Sequence, residues 1–161
     1  MPTEVAQLMT TTVWVDNILG FIPRMLTKDE LGQINKLKAE QPSIEERTFT
    51  RFLPTHINHP CAVWVRASRN NYEWAHCYAD ALNAEYQYRY GHTKNHKSFD
   101  TILALPELSS LPYEGLTVRP QCMPDAYKFE DDPVLAYRTY YIHDKASIAS
   151  WKHREKPTWM V

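Results

Sequence analysis

Pro2 and Glu4 stand at the very start of the chain, and their types suit one kind of chemistry. Removal of Met1 would leave Pro2 with a secondary α-amine. An α-amine has a pKa near ~8, so much more of it is neutral at pH 7 than of a lysine. A neutral amine can attack a sugar C1′ and form a Schiff base. Glu4 lies close enough in sequence to balance developing positive charge or to move a proton. A plainer reading also holds, because an acid in the first turn of a helix is favoured by the helix dipole.

A second pattern is the recurrence of cations beside aromatic rings. Arg66 and Arg69 lie near Trp64, Tyr72 and Trp74, and Arg89 lies between Tyr88 and Tyr90. His92, Lys94, His96 and Lys97 follow in one short basic stretch. Arg138 is flanked by Tyr137 and Tyr140, and Lys152, His153 and Arg154 lie between Trp151 and Trp159. Cations neutralise phosphates and aromatic faces stack on unpaired bases, a combination needed by a protein that works on a damaged base. The structural alternative is that the rings are core and their basic neighbours form solvated faces.

Other chemistries find less support. His56 and His59 could begin a metal site, but no third ligand is marked by spacing, so they read as loop or capping histidines. No metal or cofactor is expected. His76 and Cys77 are adjacent, and on a helix they diverge by ~100°, which makes a poor base–nucleophile pair. No HExxH, GxGxxG, Walker A or GxSxG pattern occurs. The three cysteines, Cys61, Cys77 and Cys122, form no CxxC pair and read as free thiols.

The elements that must carry these residues read as mainly α. A chain of 161 residues with 43% hydrophobic side chains can bury a core, and only 4 glycines disfavour a turn-rich β fold. The net charge of −1 excludes a global positive field, so any nucleic-acid site must be a local patch. No apolar run approaches the ~20 residues of a membrane span, and no leader pattern is present. A cytoplasmic protein without a membrane partner is therefore expected.

Apolar spacing predicts a helix over 3–15, weakened by Thr10, Thr11 and Thr12. Thr27 and Glu30 form a capping-box pattern opening a helix over 27–40, with Leu31, Ile34 and Leu37 as its stripe. Ser43 and Glu46 repeat that pattern. Residues 48–60 read as a loop. The longest periodic stretch, 61–90, carries Trp64, Ser68, Asn71, Ala75, Tyr78, Leu82, Tyr86 and Arg89 on one face, with a possible break at Asn70 and Asn71. Glu85 and Arg89 form an i,i+4 pair, and Gly91 suits the residue after the helix. A helix over 98–105 should turn Phe99, Ile102 and Leu103 inward. Residues 106–131 look irregular. Asp132-Pro133 opens a helix lined by Val134, Tyr137, Tyr140 and Tyr141, and a further short helix is expected around 145–153. No domain boundary stands out, so 1–161 reads as a single compact helical domain.

Several stretches carry a resemblance. They are Glu4-Val5-Ala6-Gln7-Leu8, His59-Pro60 with Trp64-Val65-Arg66, Ser68, Asn71-Tyr72 and Trp74, then Ala81-Leu82-Asn83, Glu85-Tyr86 and Arg89-Tyr90-Gly91. His96-Lys97-Ser98, Met123-Pro124-Asp125, Ala136-Tyr137-Arg138, Tyr140-Tyr141, and Trp151 with Arg154, Pro157 and Trp159 complete them. Over most of its length the chain resembles a family of small phage proteins, which in turn is distantly similar to pyrimidine-dimer DNA glycosylases of the endonuclease V type. Ala146-Ser147-Ile148-Ala149 and Pro157-Thr158-Trp159 are similar to the C-terminus of those enzymes, at a different spacing.

The resemblance implies a small helical enzyme. Its N-terminal α-amine would be the nucleophile, its acid would lie on the first long helix, where Glu4 falls, and its C-terminal aromatic segment would lie near the lesion. The phage relatives carry a further N-terminal segment with an Asp-Lys-His stretch. A missing segment would therefore leave Glu4 as the firmer of the two catalytic candidates, with Pro2 as nucleophile only if the chemistry has moved there. Resemblance and cation–aromatic pattern together lead to a phage-encoded DNA glycosylase/AP lyase acting on damaged duplex DNA. Arg66, Arg69, Arg89, His96, Lys97, Arg138 and Arg154 would contact phosphate with help from Asn71, and Tyr72, Trp74 or Trp159 would stack on an exposed base. The alternatives are a non-catalytic module binding a host or phage protein, and a small-molecule or nucleotide-binding enzyme.

Overall fold

The computed structural model describes residues 2–41, 50–108 and 110–160, and among them the chain is mainly α with no β-strand. The expected cap at Ser43 and Glu46 lies outside the described residues. Two compact units emerge, Met1–Thr117 and Val118–Val161.

The first unit is organised around α1 (Pro2–Leu19). It runs beyond the expected 3–15 because Ile18 and Leu19 in its last turn pack against a buried cluster, and it stops at Gly20, whose φ of 79° is open to glycine at little cost. Val5, Ala6, Met9 and Val13 build one core with Trp64, Val65, Tyr72, Ala75, Ala79, Phe99 and Ile102. Trp14 and Val15 build a second with Leu26, Ile34 and Ile57. A helix in contact all round must bury its polar residues too, and Thr10, Thr11 and Thr12 are all buried. Thr12 satisfies its hydroxyl on the Leu8 carbonyl at 3.1 Å, and Thr11 donates to the Thr55 carbonyl at 3.1 Å while accepting from the Thr55 amide at 3.2 Å. The β-branching that weakens the local propensity is thus overridden by tertiary contact.

Helix α2 (Lys28–Ala39) starts at the expected capping box, with Thr27 and Glu30 satisfying each other's backbone amides. Arg24 pairs with Glu30 at 2.8 Å, and this bond, ahead of the Thr27 amide, holds the Glu30 carboxyl down to about 2. Helices α3 (Pro60–Val65) and α4 (Arg69–Tyr90) are the two pieces of the long periodic stretch. The break falls at 66–68 rather than at Asn70 and Asn71, because Ser68 adopts an extended conformation and caps α4, accepting from the Asn71 amide at 3.1 Å. Helix α5 (Lys97–Leu103) buries Phe99 and Ile102 as expected, but Leu103 is 56% exposed and belongs to the surface.

The α4 stripe differs from the expected one by a rotation. Asn71, Tyr72, Ala75, Ala79 and Asn83 are buried, whereas Tyr78 is exposed and Leu82 and Tyr86 are half-buried. Ala75 and Ala79 face the core, where their small size permits close approach of the helices.

In the second unit, α6 (Pro133–Tyr140) begins where Asp132 accepts from the Leu135 amide at 2.9 Å. Ala136 is its buried residue. The helix then widens into a π turn at Tyr141–Lys145 and tightens into a 3-10 turn at Ala146–Ile148. The helix expected around 145–153 is therefore only this short turn, and residues 149–160 are irregular. Residues 118–132 are irregular as expected, apart from one 3-10 turn at Asp125–Tyr127. No helix among the described residues is long and apolar enough to cross a membrane.

Candidate functional site

The first turn of α1 carries Pro2, Thr3 and Glu4, and Glu4 is exposed. The Thr3 and Ser98 hydroxyls are 3.0 Å apart. That bond joins the head of α1 to the head of α5, so Glu4 shares one end of the unit with His96 and Lys97. The turn that carries the expected acid and the turn that carries His96 and Lys97 are thereby neighbours.

The α5 head is fixed by a chain of amides. His96 caps α5, its Nδ1 accepting from the Ser98 amide at 3.1 Å, so the proton of a neutral His96 ring sits on Nε2. The His96 amide donates to Asn83 Oδ1 at 2.9 Å, and Asn83 Nδ2 donates to Asn95 Oδ1 at 2.9 Å. Asn95 donates onward to Asp100 at 2.9 Å, and Gln87 Nε2 binds both the Thr93 carbonyl at 2.9 Å and Asn95 Oδ1 at 3.1 Å. Three amide side chains therefore hold residues 92–96 against α4. Sequence reasoning passed over Asn83, although an asparagine inside a helix is disfavoured unless its side chain has a partner to serve.

Aromatic rings gather beside this loop. The Tyr86 ring lies 5.0 Å from those of Tyr90, His92 and His96, edge-on to both histidines. Tyr90 and His92 are nearly parallel, 17° apart. Gly91, at φ 62°, turns the chain so that the His92 amide reaches back to the Gln87 carbonyl at 3.2 Å.

Other candidates lie elsewhere or serve the fold. Arg66 is buried at 1% exposure, and its guanidinium donates to the carbonyls of Ile22 at 3.0 Å, Ile57 at 2.7 Å and Arg24 at 2.6 Å. Burial, then the charge of Arg24, lowers its pKa to about 10. All three of its nitrogens are committed to carbonyls and the side chain is buried, which corrects the expectation of a phosphate contact. Asn71 and Tyr72 are corrected likewise. Asn71 is buried, donating to the Trp64 carbonyl at 2.8 Å and to Thr117 Oγ1 at 2.9 Å, and burial pushes the Tyr72 hydroxyl pKa well up.

Trp74 is half-buried, edge-on to Trp64 at 5.5 Å and stacked on Tyr78 at 5.3 Å. Arg89 pairs with Glu85 at 2.6 Å as the spacing implied. Arg69 lies over the Tyr113 ring at 5.6 Å, and its Nε is buried without a partner. Its charge opposes, but does not outweigh, the burial that raises the Asp16 carboxyl, which also accepts from Ser110. Within the second unit Arg138 covers the half-buried Trp159 ring at 5.5 Å, and Arg154 is exposed.

His59 is a capping histidine, its Nδ1 accepting from the Cys61 amide at 3.2 Å. His56, at φ 49°, has its Nδ1 2.9 Å from the Thr55 hydroxyl. Both line an open cleft of about 430 Å³ between α2 and residues 54–59. Lys38, also in that lining, donates to the Pro54 carbonyl at 3.0 Å.

Compared with family models, with curated proteins and with solved structures, the chain finds no match.

Proposed function

We propose that this protein is a phage-encoded DNA glycosylase/AP lyase that acts on damaged duplex DNA in the host cytoplasm, with Glu4 as its acidic catalytic residue. The observation that carries the reading is the Thr3–Ser98 bond, which sets the first turn of α1 beside His96 and Lys97. An amine, a carboxylate and cations at one end of a helical unit are the parts that base excision through a Schiff base requires.

In the form of the chain that begins at Pro2, the neutral amine attacks C1′ of the damaged nucleotide. The N–C1′ bond forms, and the base leaves with the glycosidic electron pair and gains a proton. The amine gives up its N–H proton, the sugar ring opens as the C1′–O4′ bond breaks with O4′ taking a proton, and the resulting iminium keeps its positive charge, which Glu4 balances. Loss of the C2′ proton then expels the 3′ phosphate. Lys97 holds phosphate, and the His96 Nε2–H can donate to it.

The test is borohydride trapping on a duplex carrying one thymine dimer or one abasic site. Wild type should give a covalent adduct whose linked peptide contains Pro2, and Glu4→Gln should reduce strand cleavage by roughly 100-fold, the usual scale for a positioned acid or base. The absence of both adduct and strand cleavage from the wild-type chain would refute the reading. One observation favours a non-catalytic interaction module instead. The second unit exposes Val118, Val134, Leu135, Tyr141 and Ile148, the last at 75%. Apolar side chains of this kind suit a host or phage protein partner.

A further inference from the structure

The rings around Tyr86 belong to neither core. None of Tyr86, Tyr90, His92 and His96 is buried, and Tyr90 is 57% exposed. Yet the loop that presents the two histidines is held by Asn83, Gln87 and Asn95, and its hinge is a left-handed Gly91. This much local order spent on half-exposed rings is not explained by burial of apolar area. A second observation is independent of the first. His92 Nδ1 is enclosed and has no hydrogen-bond partner, an uncommon state for a polar atom that the protein itself does not relieve. Lys94 within the loop and Lys97 just after it are exposed, while the nearby Asp100 carboxylate is engaged by Asn95 and Glu85 by Arg89.

We infer that Tyr86, Tyr90, His92 and His96 form a stacking site for one unpaired nucleobase, with Lys94 and Lys97 on the phosphates that flank it. Rings with accessible faces accept any base, because every base presents a π-face, and nearby lysines supply the sequence-independent attraction. This inference rests on the DNA-processing reading and deepens it. It moves base stacking from the buried Tyr72 to the exposed Tyr90, at the same end of the unit as Glu4. The ligand class is a strand with a base already out of its stack, as at an abasic or mispaired position.

The experiment uses the full chain and a duplex with a tetrahydrofuran abasic analogue, which cannot form a Schiff base, opposite a single 2-aminopurine. Stacking on Tyr90 should quench the 2-aminopurine fluorescence on binding. Tyr90→Leu should weaken binding roughly 5- to 100-fold and abolish the quench, the range found when one stacking ring is removed. Tyr90→Trp should restore both. An unaltered quench and affinity in Tyr90→Leu would overturn the site, as would wild-type binding without a quench or no binding at all. Borohydride trapping on a true abasic duplex is read separately. An adduct formed equally by wild type and Tyr90→Leu, with no quench, would remove the stacking site and keep the lyase. A Tyr90-dependent quench with no adduct would keep the site and remove the lyase.

Discussion

Arg66 answers its charge with the carbonyls of Ile22, Arg24 and Ile57, three points of chain that no helix joins. Its guanidinium fork is what makes this possible, since planar donors diverge in fixed directions and a lysine ammonium cannot copy them. Removing it leaves three carbonyls without their donor, the one of Ile57 in a buried bond. A hydrogen bond to a charged group contributes about 1.5–3 kcal/mol and an orphaned buried acceptor costs about 1–3 kcal/mol, so Arg66→Ala should destabilise by at least about 3 kcal/mol. Arg66→Lys should recover only a minor part of that. Urea denaturation midpoints check both. On the proposed DNA-processing reading, the folded fraction of Arg66→Lys should also bind DNA with an unchanged salt dependence, because the Arg66 guanidinium is buried on carbonyls. In sequence this residue sits among Trp64, Arg69 and Tyr72 and looks like a phosphate contact. Nothing local announces that residues 22, 24 and 57 converge on it, which is why its role was illegible.

At the scale of elements, the boundaries were readable because they are set by local chemistry. The Thr27–Glu30 box, Asp132-Pro133 and Gly91 each satisfy or end backbone within one turn, and each stands where its residues imply. The α4 face was harder. Steps of three and four through Tyr78 and Tyr86 are as regular as those through Ala75 and Ala79, and only contact with α1 selects the smaller pair. A large ring attracts attention in a sequence, but close helix packing favours alanine. Gly91 gives the test at this scale. No atom lies within 4 Å of a β-carbon added there, so Gly91→Ala meets strain from its φ of 62° alone. The expected cost is about 1 kcal/mol, and Gly91→Asn should cost less because asparagine tolerates the left-handed region. Thermal unfolding of the two variants beside wild type gives the comparison. Gly91→Ala should also reduce the 2-aminopurine quench, since the turn aims His92 at Tyr86.

Across the whole molecule, the placement of charge limits how any nucleic acid can be held. With 18 basic and 19 acidic residues the net charge of −1 supplies no global positive field to draw a duplex in. Arg66 is taken by the core side of the fold, and Arg89, Arg24 and Lys128 face carboxylates. What remains near Glu4 is the short basic loop with Lys94 and Lys97. If about two or three phosphates are neutralised there, the slope of log K against log salt should be about −2 to −3, far shallower than for a protein with a wide basic surface. Lys97→Ala should make that slope less negative by about one, while Tyr90→Leu should lower affinity at every salt concentration and leave the slope alone. A fluorescence titration series from low to physiological salt separates these behaviours. A steep slope that ignores Lys97 would place the contact on another face of the protein, and the Thr3–Ser98 junction of α1 with the α5 head would then have no part in holding DNA.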